Sequence, residues 1–539
     1  MKKIIENQTA FSVNLAEEKT ELLFSKEQLV GVPDNTLATF GRKEDAYIVT
    51  MKYPDVFGVL ENCSVSDTRR QVMTAFNNRG GQKNLDLLTE TIELRKKAVH
   101  ILGYPNYPSY ALENEMAETP ENVKQFLFDL RAKLEASGRK ELEELTRFKH
   151  ECGEEGPLQP WDFSYYIKKL KEKLYHVDDN LVKEYFPTEH VVSEMLSIYQ
   201  EIFGLTFKEI EYEDKWFSEV KCYSVYTRSG DLQGLFFLDL YPREGKYTHA
   251  CCENIQSSSL LDDDRALPVA CMICNFPHST PTLPATISHD DVTTLFHEFG
   301  HLVNVMCNNQ RICSFGAFCE ETDFVETPSQ LMEQWTWQKP VLQRLSRHYK
   351  TGEPLPEKLI DNLIHSKNFC SALFNLRQLA FGIFDYTVHA EDVKEPIINV
   401  YNRILEEVSL RPVVKNTMGP ASFGHIMSSM YACGYYGYLW SLVYSCDIFS
   451  IFKEKGIYNQ EEGTRLREMV LSKGASERSA KVLREYLQRE PKMDAFLEEM
   501  GLRQWGVCLR NKEEEEKKKK KVCELLCGVQ DTADCRSSY

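Results

Sequence analysis

Three polar residues within five positions have the types and spacing to bind and use a metal ion. The segment HEFGH places His297, Glu298 and His301 in residues 290–306, where apolar residues recur at the three- and four-residue spacing of a helix. Asp290 and Asp291 fall in its first turn, where the helix dipole favours negative charge. On a helix the two imidazoles project from one face, about one turn apart. An HExxH pattern offers zinc two nitrogen ligands and sets a carboxylate beside the water that the metal activates.

A catalytic zinc site needs a third protein ligand and one open position. Without that ligand, the pentapeptide is equally well a chance match with two buried core histidines. The chain offers Glu320, Glu321 and Glu326, with 18, 19 and 24 residues between each and His301. Spacing alone does not choose among them. Glu326 has one local argument in its favour, because it stands two residues before Pro328, a residue typical of the first turn of a helix.

Several long segments resemble the thimet oligopeptidase and neurolysin family of zinc metallopeptidases. They are HEFGH at 297–301, DFVETPSQLMEQW at 323–335, FLDLYPREGKYTHA at 237–250, YYGYLWS at 435–441 and REPKMDAFLEEMGL at 489–502. The resemblance extends from about Ile4 to Leu502. It implies a mainly α-helical, two-lobed metallopeptidase with a deep substrate channel, one Zn²⁺ per chain and Glu326 as the third zinc ligand. It also implies an endopeptidase restricted to short peptides, because a deep channel excludes folded proteins.

A tyrosine-rich segment, residues 422–438, is the second candidate for chemistry. The resemblance implies that His425, Tyr435 and Tyr438 hold the substrate and its tetrahedral intermediate, where a phenol donor aimed at the developing oxyanion would stabilise the transition state. The competing interpretation is that Tyr431, Tyr435 and Tyr438 form a core stripe at helical spacing. The chain also departs from the family here. It has MSSM at 427–430 in place of a glycine-rich loop, and it is one residue longer before Tyr435.

Together these residues predict one reaction. His297, His301 and Glu326 bind zinc, and Glu298 takes a proton from the attacking water and passes it toward the leaving amine. Tyr438, with Tyr435 and His425, stabilises the oxyanion. Asp290 and Asp323 are expected partners for the ligand histidines.

Composition and charge agree with a peptidase that works in solution. The chain has 539 residues, 27% of them charged and 42% apolar, and a net charge of −17, which argues against nucleic acid or an anionic membrane as partner. No stretch reaches the roughly 18 consecutive apolar residues of a membrane span, and the N-terminus lacks the apolar run of a signal peptide. Seventeen irregularly spaced cysteines favour a reducing, cytoplasmic location over a disulfide framework. We expect a monomer.

Local patterns predict a mostly helical chain with one β region. Residues 4–26 read as a helix, residues 65–80 and 85–101 as a helical pair, and Thr119 and Thr188 as helix starts. Between 216 and 276, short apolar runs separated by turn residues predict a small antiparallel sheet beside the HExxH helix, with an edge strand for an extended peptide. Cys271 and Cys274 lie in an apolar run that reads as a buried strand.

We divide the chain into an N-terminal helical region (1–160), a catalytic region with the zinc site and the tyrosine-rich segment (161–502), and a charged tail (503–539) that is either disordered or a solvated helix. Family members carry a long helical region before the point that matches Met1, so the resemblance implies a shortened form that lacks one channel wall. Two alternatives follow: a catalytically impaired or misassembled form that only binds peptides, and an aminopeptidase-like relative with Glu320 as ligand. The context of Glu320 lacks the motif of that second class.

Overall fold

Helices make up most of the computed structural model, which describes residues 1–502 apart from 248, 262–263, 280–283 and 391. The predicted charged tail, 503–539, lies outside these described residues. The first half of the chain folds into α1 (Lys2–Ala16), α2 (Asp34–Leu37), α3 (Tyr53–Asn62), α4 (Ser66–Asn77), α5 (Gly81–Ile101), α6 (Tyr107–Ala111), α7 (Pro120–Glu151), α8 (Phe163–Tyr175), α9 (Asp179–Lys183) and α10 (Thr188–Phe203).

The helices of the second half begin with the long helix α11, which carries the HExxH segment. They are α11 (His289–Cys307), α12 (Thr322–Val325), α13 (Thr327–Glu333), α14 (Lys339–Leu345), α15 (Glu357–His365), α16 (Ser371–Ala390), α17 (Ile397–Ser409), α18 (Gly424–Met427), α19 (Gly437–Lys455), α20 (Gln460–Leu466), α21 (Ser479–Leu487) and α22 (Asp494–Glu499). The mainly α-helical fold class is therefore confirmed.

Several predicted helix boundaries follow from local chemistry. The side chain of Thr119 accepts a hydrogen bond from the backbone N–H of Asn122 and caps α7. The helix that Thr188 opens ends at Gly204, whose φ of 63° suits glycine. The predicted helix over 4–26 is too long, because α1 ends at Ala16 and strand β1 (Glu21–Phe24) follows. The short apolar run of β1 fits either a helix or a strand by periodicity.

The strands form three small sheets. β1 pairs with β3 (Ala46–Thr50), which also pairs with β2 (Gly41–Lys43). A five-stranded sheet has the order β4 (Thr206–Ile210), β5 (Lys221–Tyr226), β6 (Leu232–Asp239), β10 (Val269–Ile273), β7 (Cys251–Gln256), and a two-stranded ribbon joins β8 (Ser259–Leu261) to β9 (Asp264–Ala266). The expectation of a purely antiparallel sheet is wrong at one place, since β10 runs parallel to β6. β7 is an edge strand of this sheet and packs beside α11.

The core has a large apolar cluster around this sheet and α11, and a second one among the helices. In the first, the ring of Phe299 on α11 meets Phe236 of β6 and Tyr199 of α10 edge-on. The second cluster packs α5 and α7 against α16, α17 and α19. It therefore joins segments from both sides of residue 160, and the division of the chain into regions at that residue stays a prediction.

Cys271 lies in β10 and Cys274 directly beyond it, and both thiols are buried as predicted. Every cysteine in the described part of the chain is unpaired. Among the described helices, none has a stretch that is both long and apolar enough to cross a membrane.

Candidate metal centre and active site

A capping box fixes the start of α11, the helix that carries the HExxH residues. The Ser288 hydroxyl accepts from the N–H of Asp291, and the Asp291 carboxylate accepts from the N–H of Ser288. The helix beyond this cap is buried along most of its length. The imidazole centroids of His297 and His301, one turn apart, are 4.9 Å from each other with their planes at 83°. A buried, capped helix therefore holds both rings toward one point.

Glu326 meets the two histidines from the corner between α12 and α13. Its Oε2 lies 3.2 Å from Nε2 of His297 and 3.2 Å from Nε2 of His301. Ser329 donates to the same oxygen at 3.0 Å, and the Tyr431 hydroxyl donates to Oε1 at 2.7 Å. Burial opposes ionisation of this carboxyl, but the charges and hydrogen bonds of the histidines prevail and hold its pKa well below its usual value.

Close packing of α11 on α13 sets the distance between these ligands. Gly300, inside the HEFGH segment, faces the start of α13. A Cβ atom added there would lie 2.8 Å from Cα of Ser329 and 3.0 Å from the carbonyl oxygen of Pro328. Both neighbours are backbone atoms, so they cannot rotate away. The absence of a side chain at Gly300 therefore lets the helix with the two histidines approach the helix that begins at Glu326.

The three side chains fit a metal ion by donor chemistry and by placement. Among the described residues they form the one His/Cys/Asp/Glu group of this kind, with ligand atoms all within 4.8 Å of one another. Two imidazole nitrogens and one carboxylate oxygen are a donor set that catalytic zinc takes. Glu326 is 3% exposed and His301 is 8% exposed, so both side chains are almost completely shielded from solvent.

Glu333, which the sequence reasoning missed, orients His297. Its Oε1 lies 2.6 Å from Nδ1 of that ring, so a proton on Nδ1 leaves Nε2 free to face the metal position. No hydrogen-bond partner is present for Nδ1 of His301 among the described residues. The expectation that Asp290 orients a ligand histidine is wrong, since Asp290 is exposed at the first turn of α11.

The same expectation for Asp323 is also wrong, because both of its carboxylate oxygens are occupied elsewhere. They accept from the N–H groups of Met116 and Ala117, each at 2.9 Å, and from the Tyr436 hydroxyl at 2.7 Å. Glu115 in turn accepts from the N–H of Asp323 at 3.2 Å. Asp323 therefore ties the segment before Glu326 to two other parts of the chain.

The other candidate third ligands lie away from the histidines. Glu320 accepts from Asn304 at 3.1 Å, and Glu321 accepts from Ser479 at 2.5 Å. Neither belongs to the group of convergent ligand atoms. The geometry thus separates Glu326 from the two carboxylates that spacing alone could not exclude.

Glu298 sits one residue beyond the first histidine and is 7% exposed. Burial raises the pKa of its carboxyl, and the charges of His297 and His301 offset part of that rise. The charge of Glu298 also contributes, after burial, to the raised pKa of the Cys252 thiol in β7. The helix that carries Glu298, α11, packs beside β7.

The tyrosine-rich segment is brought to the same place. The rings of Tyr431 and Tyr438 stack with centroids 5.2 Å apart, and His425 lies 5.6 Å from Tyr431 and 5.8 Å from Tyr438. Tyr435 also contacts His425, at 5.3 Å, but its hydroxyl donates to Gln378 at 2.8 Å. The structure thus gathers the three predicted residues His425, Tyr435 and Tyr438 beside the metal ligands.

Comparison with known proteins gives this geometry a family. The model of peptidase family M3 matches residues 59–502. The chain belongs to peptidase family M3. It is 39% identical to saccharolysin of Saccharomyces cerevisiae (93% of this chain, 74% of the relative), 37% to thimet-like oligopeptidase of Dictyostelium discoideum (93% and 77%) and 36% to oligopeptidase A of Escherichia coli (90% and 74%).

A solved structure of PZ peptidase A with an inhibitor matches the fold with a TM-score of 0.60 and 14% identity, over 93% of this chain and 75% of that chain. At that identity the likeness concerns the fold alone. The family resemblance that the sequence motifs predict is confirmed, and the protein is a peptidase of a metallopeptidase family.

In this M3 peptidase, Tyr431 contacts the metal-ligand set directly, and the sequence reasoning assigned it no role beyond the core stripe. Its hydroxyl bonds Glu326, whereas Tyr435 bonds away from the site. The stripe of Tyr431, Tyr435 and Tyr438 did carry a signal, because residues at that spacing share one face. The pattern could not tell which of the three hydroxyls reaches the carboxylate.

The tyrosine-rich segment is held at its front by a buried arginine. Arg95 of α5 donates to the carbonyl oxygens of Ile426 at 2.7 Å, Met427 at 2.9 Å and Ser428 at 3.3 Å. A side chain from another helix thereby satisfies three successive carbonyls where the MSSM residues begin.

The rear of the segment is held by Asp385 of α16. Its carboxylate accepts from the N–H of Cys433 at 2.9 Å and of Tyr435 at 3.1 Å. His389 joins the two anchors, with Nδ1 3.1 Å from Asp385 and Nε2 3.2 Å from Arg95. This network fixes both ends of the loop that carries Tyr431.

Proposed function

We propose that this M3 peptidase is a zinc-dependent endopeptidase that hydrolyses internal bonds of short peptides. The observation that carries the proposal is the convergence of His297, His301 and Glu326 within 4.8 Å, with Glu298 on the same buried helix. These three residues would hold one zinc ion. When bound, zinc supplies a Lewis acid and lowers the pKa of water, as in other hydrolases with such a ligand set.

Glu298 is proposed as the general base and acid. As a carboxylate it takes a proton from the attacking water, and it then gives that proton to the nitrogen of the leaving amine. Its burial supports this role, since a raised pKa makes it a better proton acceptor than an exposed glutamate. A bound zinc ion would add positive charge beside it and so favour the ionised form.

Tyr438 is proposed as the donor that stabilises the oxyanion, with Tyr435 and His425 positioning it and the substrate. Stacking on Tyr431 supports Tyr438 from one side, and Gln330 of α13 donates to its carbonyl oxygen at 2.9 Å. Burial lowers the pKa of His425, which keeps the imidazole neutral and able to donate or accept a hydrogen bond. Tyr431, bonded to Glu326, would keep that carboxylate in place.

We infer that a short extended peptide pairs with the edge strand β7 and passes over Glu298. An edge strand offers main-chain hydrogen bonds to a peptide without demanding a sequence. The proposal includes a monomer in the cytoplasm, supported by the free cysteines of the described residues. It also keeps the predicted arrangement of two lobes with the substrate channel between them.

The test is cleavage of a short internally quenched peptide, with the products located by mass spectrometry. We expect cutting at an internal bond, loss of activity with a chelator, and recovery when zinc is added back. Glu298→Gln should abolish cutting while it still binds zinc. Glu189→Gln, an exposed glutamate of α10, is the matched control and should behave as wild type. Absence of cleavage by folded, zinc-loaded wild type would contradict the proposal and favour a protein that only binds peptides.

A further inference from the structure

Five aromatic rings from distant parts of the chain meet at the loop that leads into β7. Tyr53 of α3 lies 5.1 Å from His249, 5.8 Å from Phe57 and 5.5 Å from Phe76 of α4. His249 in turn lies 5.5 Å from Tyr247, in the loop that leads into β7. We call these five residues the aromatic cluster. It joins the N-terminal helices to the sheet beside the proposed catalytic glutamate.

The cluster is unusually open for a group of rings. Tyr53 is 39% exposed and Tyr247 58% exposed. Rings that serve only to pack a core are withdrawn from water, whereas aromatic side chains that remain exposed together are typical of binding surfaces. The cluster therefore has solvent-exposed apolar surface that a ligand can contact.

Arg79, just beyond the end of α4, adds a positive charge to this surface. Its guanidinium carbon lies 3.6 Å from the centroid of the Phe76 ring and 5.5 Å from that of Tyr53. Its Nε donates to the carbonyl oxygen of Phe76 at 3.0 Å. Within the described part of the chain, no carboxylate lies within salt-bridge distance of it. Its two terminal nitrogens are thus available to an anion, in a chain whose acidic residues outnumber its basic ones by 81 to 64.

Chain connectivity and packing place the aromatic cluster near the catalytic helix. Tyr247 and His249 precede the start of β7 by four and two residues, and β7 packs beside α11, the helix that carries Glu298. Burial lowers the pKa of His425, and the charge of His249 lowers it further, which agrees with this placement. The cluster therefore lies near the cleft in which the peptide bond would be cut.

The direction of the peptide follows from the edge strand. Antiparallel pairing is the commoner arrangement in sheets. A peptide that pairs antiparallel with the free edge of β7 has its C-terminal half next to the start of that strand, at Cys251. Tyr247 and His249 precede this start in the chain. Tyr53 contacts His249 and also the guanidinium of Arg79, so it connects Arg79 to these two residues.

We propose that Arg79 and the aromatic cluster form a subsite for the C-terminal end of the peptide substrate. Arg79 binds the terminal carboxylate by paired N–H donors, and the cluster packs on an aromatic or aliphatic side chain of the last residues. This inference rests on the proposed peptidase function. It gives a physical reason for acting on short peptides, since a free C-terminus must lie within reach of the scissile bond.

The experiment compares two internally quenched peptides that end in phenylalanine and differ only in a free or amidated C-terminus. For wild type we expect about tenfold higher kcat/KM on the free acid, carried by KM, which is the size of one charge-assisted contact. Arg79→Met should bring the ratio of the two peptides close to one. Arg79→Lys, which keeps the charge without the paired geometry, should leave an intermediate ratio.

The matched control is Arg42→Met, because Arg42 of β2 also stacks on a ring, 3.6 Å from the centroid of Tyr47, in the small N-terminal sheet. It should keep the wild-type ratio. Equal cleavage of both peptides by wild type, or an unchanged ratio in Arg79→Met of normal melting temperature, would overturn the proposal. Binding of the same peptides to Glu298→Gln, measured by fluorescence anisotropy, must show the same preference. That readout tests the subsite even if the proposed reaction fails.

Discussion

Gly300→Ala should weaken the metal centre although alanine favours helices. The new methyl carbon would lie 2.8 Å from Cα of Ser329, about 0.6 Å short of the 3.4 Å at which ordinary contact begins. The neighbour is backbone, so α11 and α13 must separate. The metal tolerates ligand displacements of only about 0.2 Å. A shift of this size moves Glu326 away from both histidines, which now lie 3.2 Å from its Oε2.

The effect on stability is the difference between two opposing contributions. Replacing a helical glycine by alanine gains about 0.5–1 kcal/mol, and overpacking a tight contact costs about 1–3 kcal/mol. We therefore expect a small net loss in the free energy of unfolding, from about zero to about 2.5 kcal/mol. Zinc affinity should fall much more visibly, by about 10- to 100-fold, as when the support of a ligand is removed.

Competition with a chromogenic chelator measures the zinc affinity, and urea unfolding of the metal-free protein measures the stability. Gly58→Ala is the matched control, because Gly58 is also helical and its added Cβ also meets an atom at 2.8 Å, but that atom is the end of the Thr36 side chain. It should leave zinc affinity unchanged. If Gly300→Ala bound zinc as tightly as wild type, and its free energy of unfolding rose by the about 0.5–1 kcal/mol expected for alanine in a helix, the proposed role of this glycine would be refuted.

Three further predictions follow from individual side chains. Glu333→Gln, which loses the charged partner of His297 Nδ1, should lower zinc affinity by about 10- to 100-fold, whereas Glu321→Gln should not. Burial raises the pKa of Glu298, and activity requires its ionised form. The acid limb of the kcat/KM profile against pH should therefore lie above pH 4.5, which is the usual pKa of glutamic acid. An acid limb at or below pH 4.5 would count against Glu298 as the base. Burial and the charge of Asp323 raise the pKa of Glu115 to about 8, so the folded state holds this proton more tightly than the unfolded state does. The stability that this proton adds to the fold is complete below pH 4.5 and is lost as pH rises through 8. Glu115→Gln should flatten that part of the melting-temperature profile, and an unchanged slope would contradict the assignment.

The parts of the site that the sequence could predict are those set by local pattern. The helix around His297 and His301 follows from apolar periodicity and acidic residues in its first turn, and both signals lie within one element. Spacing left Glu326 open against Glu320 and Glu321, and the family resemblance chose it. The structure adds the reason, which is the corner between α12 and α13 that turns Glu326 toward α11.

The parts that could not be predicted depend on contacts between distant elements. Glu333 is 36 residues from His297, and Tyr431 is 105 residues from Glu326. Asp323 misled the sequence reasoning because it is near Glu326 in the chain, yet the short helix α12 directs its carboxylate to Met116 and Tyr436 instead. Side-chain orientation across such a corner is not encoded in residue type.

The sheet shows the same limit. Apolar runs and turn residues located the strands, but strand order and direction arise from tertiary packing. The parallel pairing of β10 with β6, and the placement of β7 outside β10, were therefore outside the reach of local patterns. The placement of β7 matters for function, because it sets the edge at which a peptide is proposed to bind.

The measurement that tests the central claim most directly is the zinc content and peptidase activity of Glu326→Gln beside Glu320→Gln. Both substitutions remove one buried carboxylate of the same short segment, but only Glu326 lies between the two histidines. The account predicts one zinc per chain and full activity for Glu320→Gln, with loss of both for Glu326→Gln. Zinc and activity that survive in Glu326→Gln and disappear in Glu320→Gln would contradict the proposed metal centre.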